Sequence, residues 1–174
     1  MIHVYTGDGK GKTTAALGLA LRAFGHGFRS VIIQFMKNPE MMGEIYGEIK
    51  AIKNIAPGIE IKSFGRAGWI KKGEASDEDK KLASDAVKTA RDALKDNKIK
   101  LVILDEIFLA LHFDLITLHD IIKILDSKPA DKELVLTGRK APQEIIDRAD
   151  LVTEMRQVKH YFQKGIQARK GIEF

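Results

Sequence analysis

No cysteine occurs among the 174 residues of this chain, which removes disulfides, thiolate zinc sites, iron–sulfur clusters and cysteine nucleophiles together. The five histidines (His3, His26, His112, His119, His160) are scattered with no i,i+4 pair, so the helical histidine metal motif is missing as well. No apolar run approaches the roughly 20 residues needed to span a bilayer. The first residues enter a strand directly, leaving no room for the basic and apolar regions of a signal peptide. The expectation is a cytoplasmic chain with no membrane partner. Internal repeats, linkers and low-complexity segments are also lacking, and the length suits one α/β domain over residues 1–174. The net charge of +5 is mild and suits an anionic small ligand without excluding nucleic acid.

What is present is organised around Thr6-Gly7-Asp8-Gly9-Lys10-Gly11-Lys12-Thr13-Thr14. A short apolar strand (Ile2–Tyr5) precedes it and an Ala/Leu-rich helix (Thr13–Phe24) follows, which is the context a phosphate-binding loop requires. Glycines allow the backbone to turn its N–H groups toward phosphate oxygens, and the helix N-terminus adds free donors and positive dipole there. Lys12 would lie against the outer phosphates, and the Thr13 hydroxyl would complete a magnesium shell. The loop is a variant, because Thr6 stands where the usual pattern has glycine. The helix after it is apolar almost all round and is expected to be sandwiched in the core. Arg22 near its end either offsets the dipole or reaches a ligand.

Ser30–Met36 is a continuous apolar run of strand length carrying one amide, Gln34, that needs partners or helps line the site; Lys37 and Asn38 follow it. Met41, Ile45, Ile49 and Ile52 have helical spacing from Glu40 onward. Ile59–Phe64 alternates as a strand and opens a polar loop, Gly65–Glu74, that holds the only tryptophan, Trp69, as a lid or second-substrate wall. Ser76–Asp96 reads as a capped amphipathic helix. Leu101–Leu104 followed by Asp105-Glu106 is a buried strand delivering carboxylates to its end, where a phosphate site needs hard oxygens for magnesium. A helix over Leu118–Leu125, a strand at Glu133–Thr137 followed by Gly138-Arg139, a helix at Pro142–Ala149 and a strand at Leu151–Met155 complete the pattern. The tail from Lys159 to Phe174 is basic and poorly periodic. The fold expected is α/β and P-loop NTPase-like, a mainly parallel six-stranded sheet with helices on both faces. Every chemically suggestive stretch falls after a strand, so all should share one edge. On these residues alone, an ATP hydrolase or small-molecule kinase and, less well supported, a nucleic-acid-dependent ATPase stay open beside group transfer.

With TGDGKGKTTAALGLALRA, VIIQFMK, LVILDEI, LVLTGR, ADLVTEMRQVKH and GIQARKGIEF in place, the chain resembles the ATP:corrinoid adenosyltransferases of cobalamin synthesis and salvage. The resemblance implies transfer of the 5′-deoxyadenosyl group of ATP to the cobalt of a reduced corrinoid, with triphosphate released. It implies ATP and corrinoid as substrates, Mg²⁺, a flavoprotein reductant, a homodimer and no nucleic-acid partner. It also implies that Gly7, Asp8, Gly9, Lys10, Gly11, Lys12, Thr13 and Thr14, with Arg22 and Arg139, contact ATP. Thr13, Glu106 and neighbouring Asp105 would serve the metal, with Lys12 and Glu106 as the catalytic groups. Trp69 would face the corrinoid, in a loop where better-known members carry a phenylalanine and a tryptophan. Those members also have a segment before the first strand that has no counterpart here.

Overall fold

The computed structural model describes residues 1–41, 43–68, 70 and 72–174. The chain runs β1 (Ile2–Thr6), α1 (Lys12–Gly25), β2 (Arg29–Phe35), a small hairpin of β3 (Glu40–Met41) and β4 (Glu44–Ile45), then α2 (Gly47–Ile55) and β5 (Ile59–Phe64). It continues through α3 (Asp77–Lys95), β6 (Ile99–Asp105), α4 (Ile107–His112), α5 (Leu118–Asp126), β7 (Glu133–Thr137), α6 (Gln143–Asp147) and β8 (Leu151–Glu154), and a single 3₁₀ turn at Tyr161–Lys164. Six strands form one sheet in the order β5-β2-β6-β7-β1-β8, and every pairing in it is parallel. Parallel strands point all their carboxyl ends one way, so the segments after β1, β2, β6 and β7 meet along one edge.

The side chains of the central strands alternate between two cores. Val31, Ile33, Phe35, Val102, Leu104, Leu134 and Leu136 face α3, α4, α5 and α6, where Ala86, Ala90, Ile107, Phe108, Ile121 and Ile145 are fully buried or nearly so. Ile32, Leu101, Ile103 and Val135 face the other way, against Ala16 and Ala20 of α1 and the flank of α2. That period of two, with apolar residues at both phases, makes the strands read as continuous hydrophobic runs. Ser76 caps α3 by accepting from the Asp79 amide while the Asp79 carboxylate accepts from the Ser76 amide, a closed capping box.

Three expectations change. The helix after Lys37 begins only at Gly47, because the β3–β4 hairpin takes up Glu40–Ile45. Gly43 at φ +78 supports that reversal. Helix α1 is not sandwiched: it lays an alanine stripe (Ala16, Ala20) on the sheet and leaves Leu21 52% exposed. Small residues let the helix approach the sheet closely, which puts its leucines to the sides. A further helix, α4, follows Asp105-Glu106 directly, in a stretch too short to show a period.

Lys132 carries an unusual structural load for a lysine. It is buried, and its ammonium donates to the carbonyls of Ala93, Asp96 and Ile99, the last at 2.9 Å. These are the end of α3 and the entry to β6, so one side chain ties the helix end to the strand that follows it. We expect Lys132→Met to lower stability by about 2–3 kcal/mol, since those carbonyls would lose a buried charged donor. The check is a lower urea midpoint at an unchanged slope.

Candidate active site

At the carboxyl edge the backbone between β1 and α1 wraps back on itself. Gly7 has φ +94 and Gly11 φ +121, a region that disfavours side chains. A Cβ on Gly7 would lie 2.4 Å from the Met155 carbonyl oxygen, and one on Gly9 would lie 2.7 Å from it. The Gly9 amide donates to that same oxygen at 2.7 Å, so the loop leans on the chain leaving β8. Thr6 is explained by this arrangement. It is still strand, paired opposite Glu154, and its hydroxyl accepts from the Ala141 amide at 3.2 Å. The turn begins one residue later than in the usual pattern, and glycine is needed only from position 7.

The Lys12 ammonium donates to the carbonyls of Gly7 and Gly9, each at 2.7 Å, across the concavity of the loop. Burial lowers its pKa. Asp105, at the end of β6, is fully buried and accepts from four directions. Its Oδ1 takes the hydroxyls of Thr13 (2.9 Å) and Thr137 (2.7 Å). Its Oδ2 takes the Lys37 ammonium (2.7 Å) and the Gln34 amide (3.4 Å). Burial alone would raise this carboxyl, but the Lys37 charge and the donated bonds outweigh it and hold the pKa low. Gln34 is itself satisfied by Ser63, whose hydroxyl donates to its Oε1 at 2.8 Å.

Glu106 next to it is different. It adopts φ +61 and caps α4, a left-handed conformation held by the Thr137 hydroxyl accepting its amide at 3.0 Å. Burial, reinforced by the Asp105 charge, pushes its carboxyl up. Its side chain faces a pocket of about 450 Å³, which is of ligand size, together with Asp8–Thr14, Lys37, Tyr46 and Arg139. Lys12, Thr13, Glu106 and Arg139 therefore converge as expected, while Asp105 lies behind Thr13 with its lone pairs engaged. Arg22 is exposed on the last turn of α1 and does not line this pocket. Trp69 lies outside the described residues.

The remaining wall was not visible in the periodicity. His160, Tyr161 and residues 171–174 of the tail line the same pocket. The Lys10 ammonium donates to the Tyr161 hydroxyl (3.1 Å), the Ile172 carbonyl (2.9 Å) and the Glu173 carboxylate (2.7 Å). In the sequence this stretch offered the motif GIQARKGIEF, aromatic rings at 160, 161, 162 and 174, and one acid, Glu173, among basic residues.

A family model described as ATP:corrinoid adenosyltransferase BtuR/CobO/CobP matches residues 1–174. A corrinoid adenosyltransferase of Sinorhizobium sp is 35% identical over 181 residues, covering 100% of this chain and 80% of that protein. One from Escherichia coli (strain K12) is 32% identical over 176 residues, covering 100% and 85%. One from Pseudomonas aeruginosa is 35% identical over 179 residues, covering 100% and 83%.

The geometry of Asp105 gives a pH prediction. Its folded pKa is depressed, so its contribution to stability is present above the unfolded value, about 3.9, and is lost as pH falls below that. Asp105→Asn should be markedly less stable than wild type at pH 7, and the gap should narrow toward pH 3. Denaturant midpoints of both proteins across that range provide the check.

Proposed function

This chain belongs to the ATP:corrinoid adenosyltransferase family, and on that premise we propose that its carboxyl-edge pocket holds ATP while the 5′-deoxyadenosyl group passes to the cobalt of a reduced corrinoid. The observation that carries the site assignment is the convergence of loop, Lys12, Thr13, Glu106 and Arg139 on one pocket of substrate size. Cobalt in the Co(I) state is the nucleophile: a cobalt–carbon bond forms at C5′, the C5′–oxygen bond breaks, and triphosphate leaves with the electron pair. With cobalt as the nucleophile, no protein nucleophile or general base is called for. The chain's task is to align the leaving group and stabilise its charge. Lys12 shifts from loop carbonyls to phosphate oxygens, loop amides other than that of Gly9, which is held by Met155, turn toward them, and Arg139 adds its fork of donors.

A divalent ion fits this chemistry. Among the described residues there is no group of three or more His, Cys, Asp or Glu that could hold a metal, so Mg²⁺ would take most of its oxygens from triphosphate and water. Thr13 and Glu106 would supply the protein ligands, with Asp105 orienting Thr13, and the ion would neutralise charge on the departing triphosphate. No helix among the described residues is long and apolar enough to cross a membrane. Residues 1–174 acting as one cytoplasmic domain, a homodimer, and a flavoprotein as the source of Co(I) are parts of the proposal that rest on family membership.

Two outcomes test it. Purified protein with ATP and chemically reduced corrinoid should form triphosphate and an adenosylated corrinoid, and Lys12→Ala should cut kcat on the order of 10²-fold. Corrinoid-independent release of ADP and phosphate would instead support a hydrolase or kinase. Trp69→Ala should leave ATP binding nearly intact. It should reduce turnover sharply when a protein donor must reduce Co(II), and much less when Co(I) is supplied, because a flat apolar ring can exclude a lower axial ligand. Lost ATP affinity in that variant would place Trp69 on the nucleotide instead.

A further inference from the structure

Lys10 sits in the middle of the phosphate loop, where a cation would ordinarily be assigned to phosphate. An ammonium has three N–H donors, and in this structure all three are directed elsewhere, to Tyr161, Ile172 and Glu173. The receiving segment has little core of its own. Phe162 is 65% exposed and Ile172 58% exposed, so residues 160–174 are not held by apolar burial. What holds them is polar: the Lys170 ammonium donates to Glu44 at 2.6 Å, and a larger cluster centres on Glu173. Its carboxylate accepts from Lys10, from the Tyr161 hydroxyl, and from the backbone amide and guanidinium of Arg169. The Arg169 guanidinium also stacks 4.7 Å from the Tyr161 ring centre. Gly171 and Ile172 amides close short turns onto Phe174 and Arg169. Charge-assisted bonds of this kind are the stronger class, and here they join the tail to the loop that would bind phosphate.

We propose that Lys10 is a positioning residue that fastens residues 160–174 to the phosphate loop, making this segment the wall that contacts the nucleoside end of ATP. The segment already lines the pocket through His160, Tyr161 and Glu173, while the phosphate end is supplied by Lys12, Thr13 and Arg139. His160 and Tyr161 bring two ring systems 4.6 Å apart to that wall, surfaces suited to a purine or its ribose. Loop and wall then set together: ordering one presents the other. The inference rests on the pocket being the ATP site, and it adds which part of the chain reads the nucleoside.

The test compares ATP with inorganic triphosphate as ligands of the wild-type chain, Lys10→Met, Glu173→Gln and Tyr161→Phe, by calorimetry with Mg²⁺. Amide hydrogen exchange at Arg169, Gly171, Ile172 and Glu173 is followed in parallel without ligand. A wall fastened by Lys10 predicts that Lys10→Met and Glu173→Gln both weaken ATP about ten-fold or more, the loss of a charge-assisted bond. Triphosphate affinity should change less than about two-fold in both, and the four amides should exchange faster. Tyr161→Phe, which keeps the ring and removes one bond, should fall between them and wild type. If Lys10→Met weakens ATP and triphosphate alike while Glu173→Gln changes neither, Lys10 is a phosphate ligand and the proposal fails. Unchanged amide exchange in Lys10→Met overturns the fastening whatever the affinities. Should the wild-type chain bind neither ligand, the ATP site itself is refuted, an outcome distinct from both.

Discussion

The carboxylate of Asp105 is the point on which the site is built. It is fully buried, and it survives there as an anion because four donors from four stretches of chain converge on it. Thr13 belongs to α1, Gln34 to β2, Lys37 to the turn beyond β2, and Thr137 to the end of β7. An isolated carboxylate at that depth would be neutralised or expelled, so each donor is an obligation as much as a contact. The result is that the three elements carrying the site are held to one atom group, and the Thr13 hydroxyl is oriented before any ligand arrives. Preorganisation of this kind is what electrostatic stabilisation of a leaving group requires.

Glu106 shows the complementary device. Thr137 holds the backbone of Glu106 in a strained conformation and at the same time donates to Asp105, so one hydroxyl turns two adjacent acids in opposite directions. Asp105 points into the protein and stays charged. Glu106 points into the pocket, where burial and its neighbour's charge leave it short of a cation. Two consecutive carboxylates thereby take two positions, one holding the scaffold together and one facing the pocket.

Much of this could be read in the chain beforehand, and the reason is local. The loop turns at Gly7 and Gly11 through backbone angles that favour glycine and passes Met155 too closely at Gly9 for a side chain, so these glycines carry the turn in their identity. Asp105-Glu106 after an apolar run and Gly138-Arg139 after another are legible because a parallel sheet sends all such ends to one edge. Arg22 fell outside the pocket because helical rise carries the last turn of α1 away from the loop. The tail carried a motif, GIQARKGIEF, but its place in the fold was not legible because nothing periodic orders it. Its structure comes from a polar cluster whose partner, Lys10, lies some 160 residues away in sequence, and long-range polar pairing leaves no pattern along the chain. The hairpin at Glu40–Ile45 was missed for a related reason, since isoleucine and methionine at helical spacing also fit two short strands.

The pairing of β1 has a consequence for how the protein is made. Its neighbours on both sides are late strands: residues 2–5 pair with 134–137 of β7, and residues 3–6 with 151–154 of β8. Strands β2, β5 and β6 can associate with one another from the middle of the chain, but β1 has no partner among them. During synthesis β1 therefore emerges from the ribosome ahead of β7 and β8 and waits, unpaired, until both have followed it. The loop after β1 leans on Met155, just beyond β8, so the pocket it lines takes shape only once the last strand of the sheet has docked.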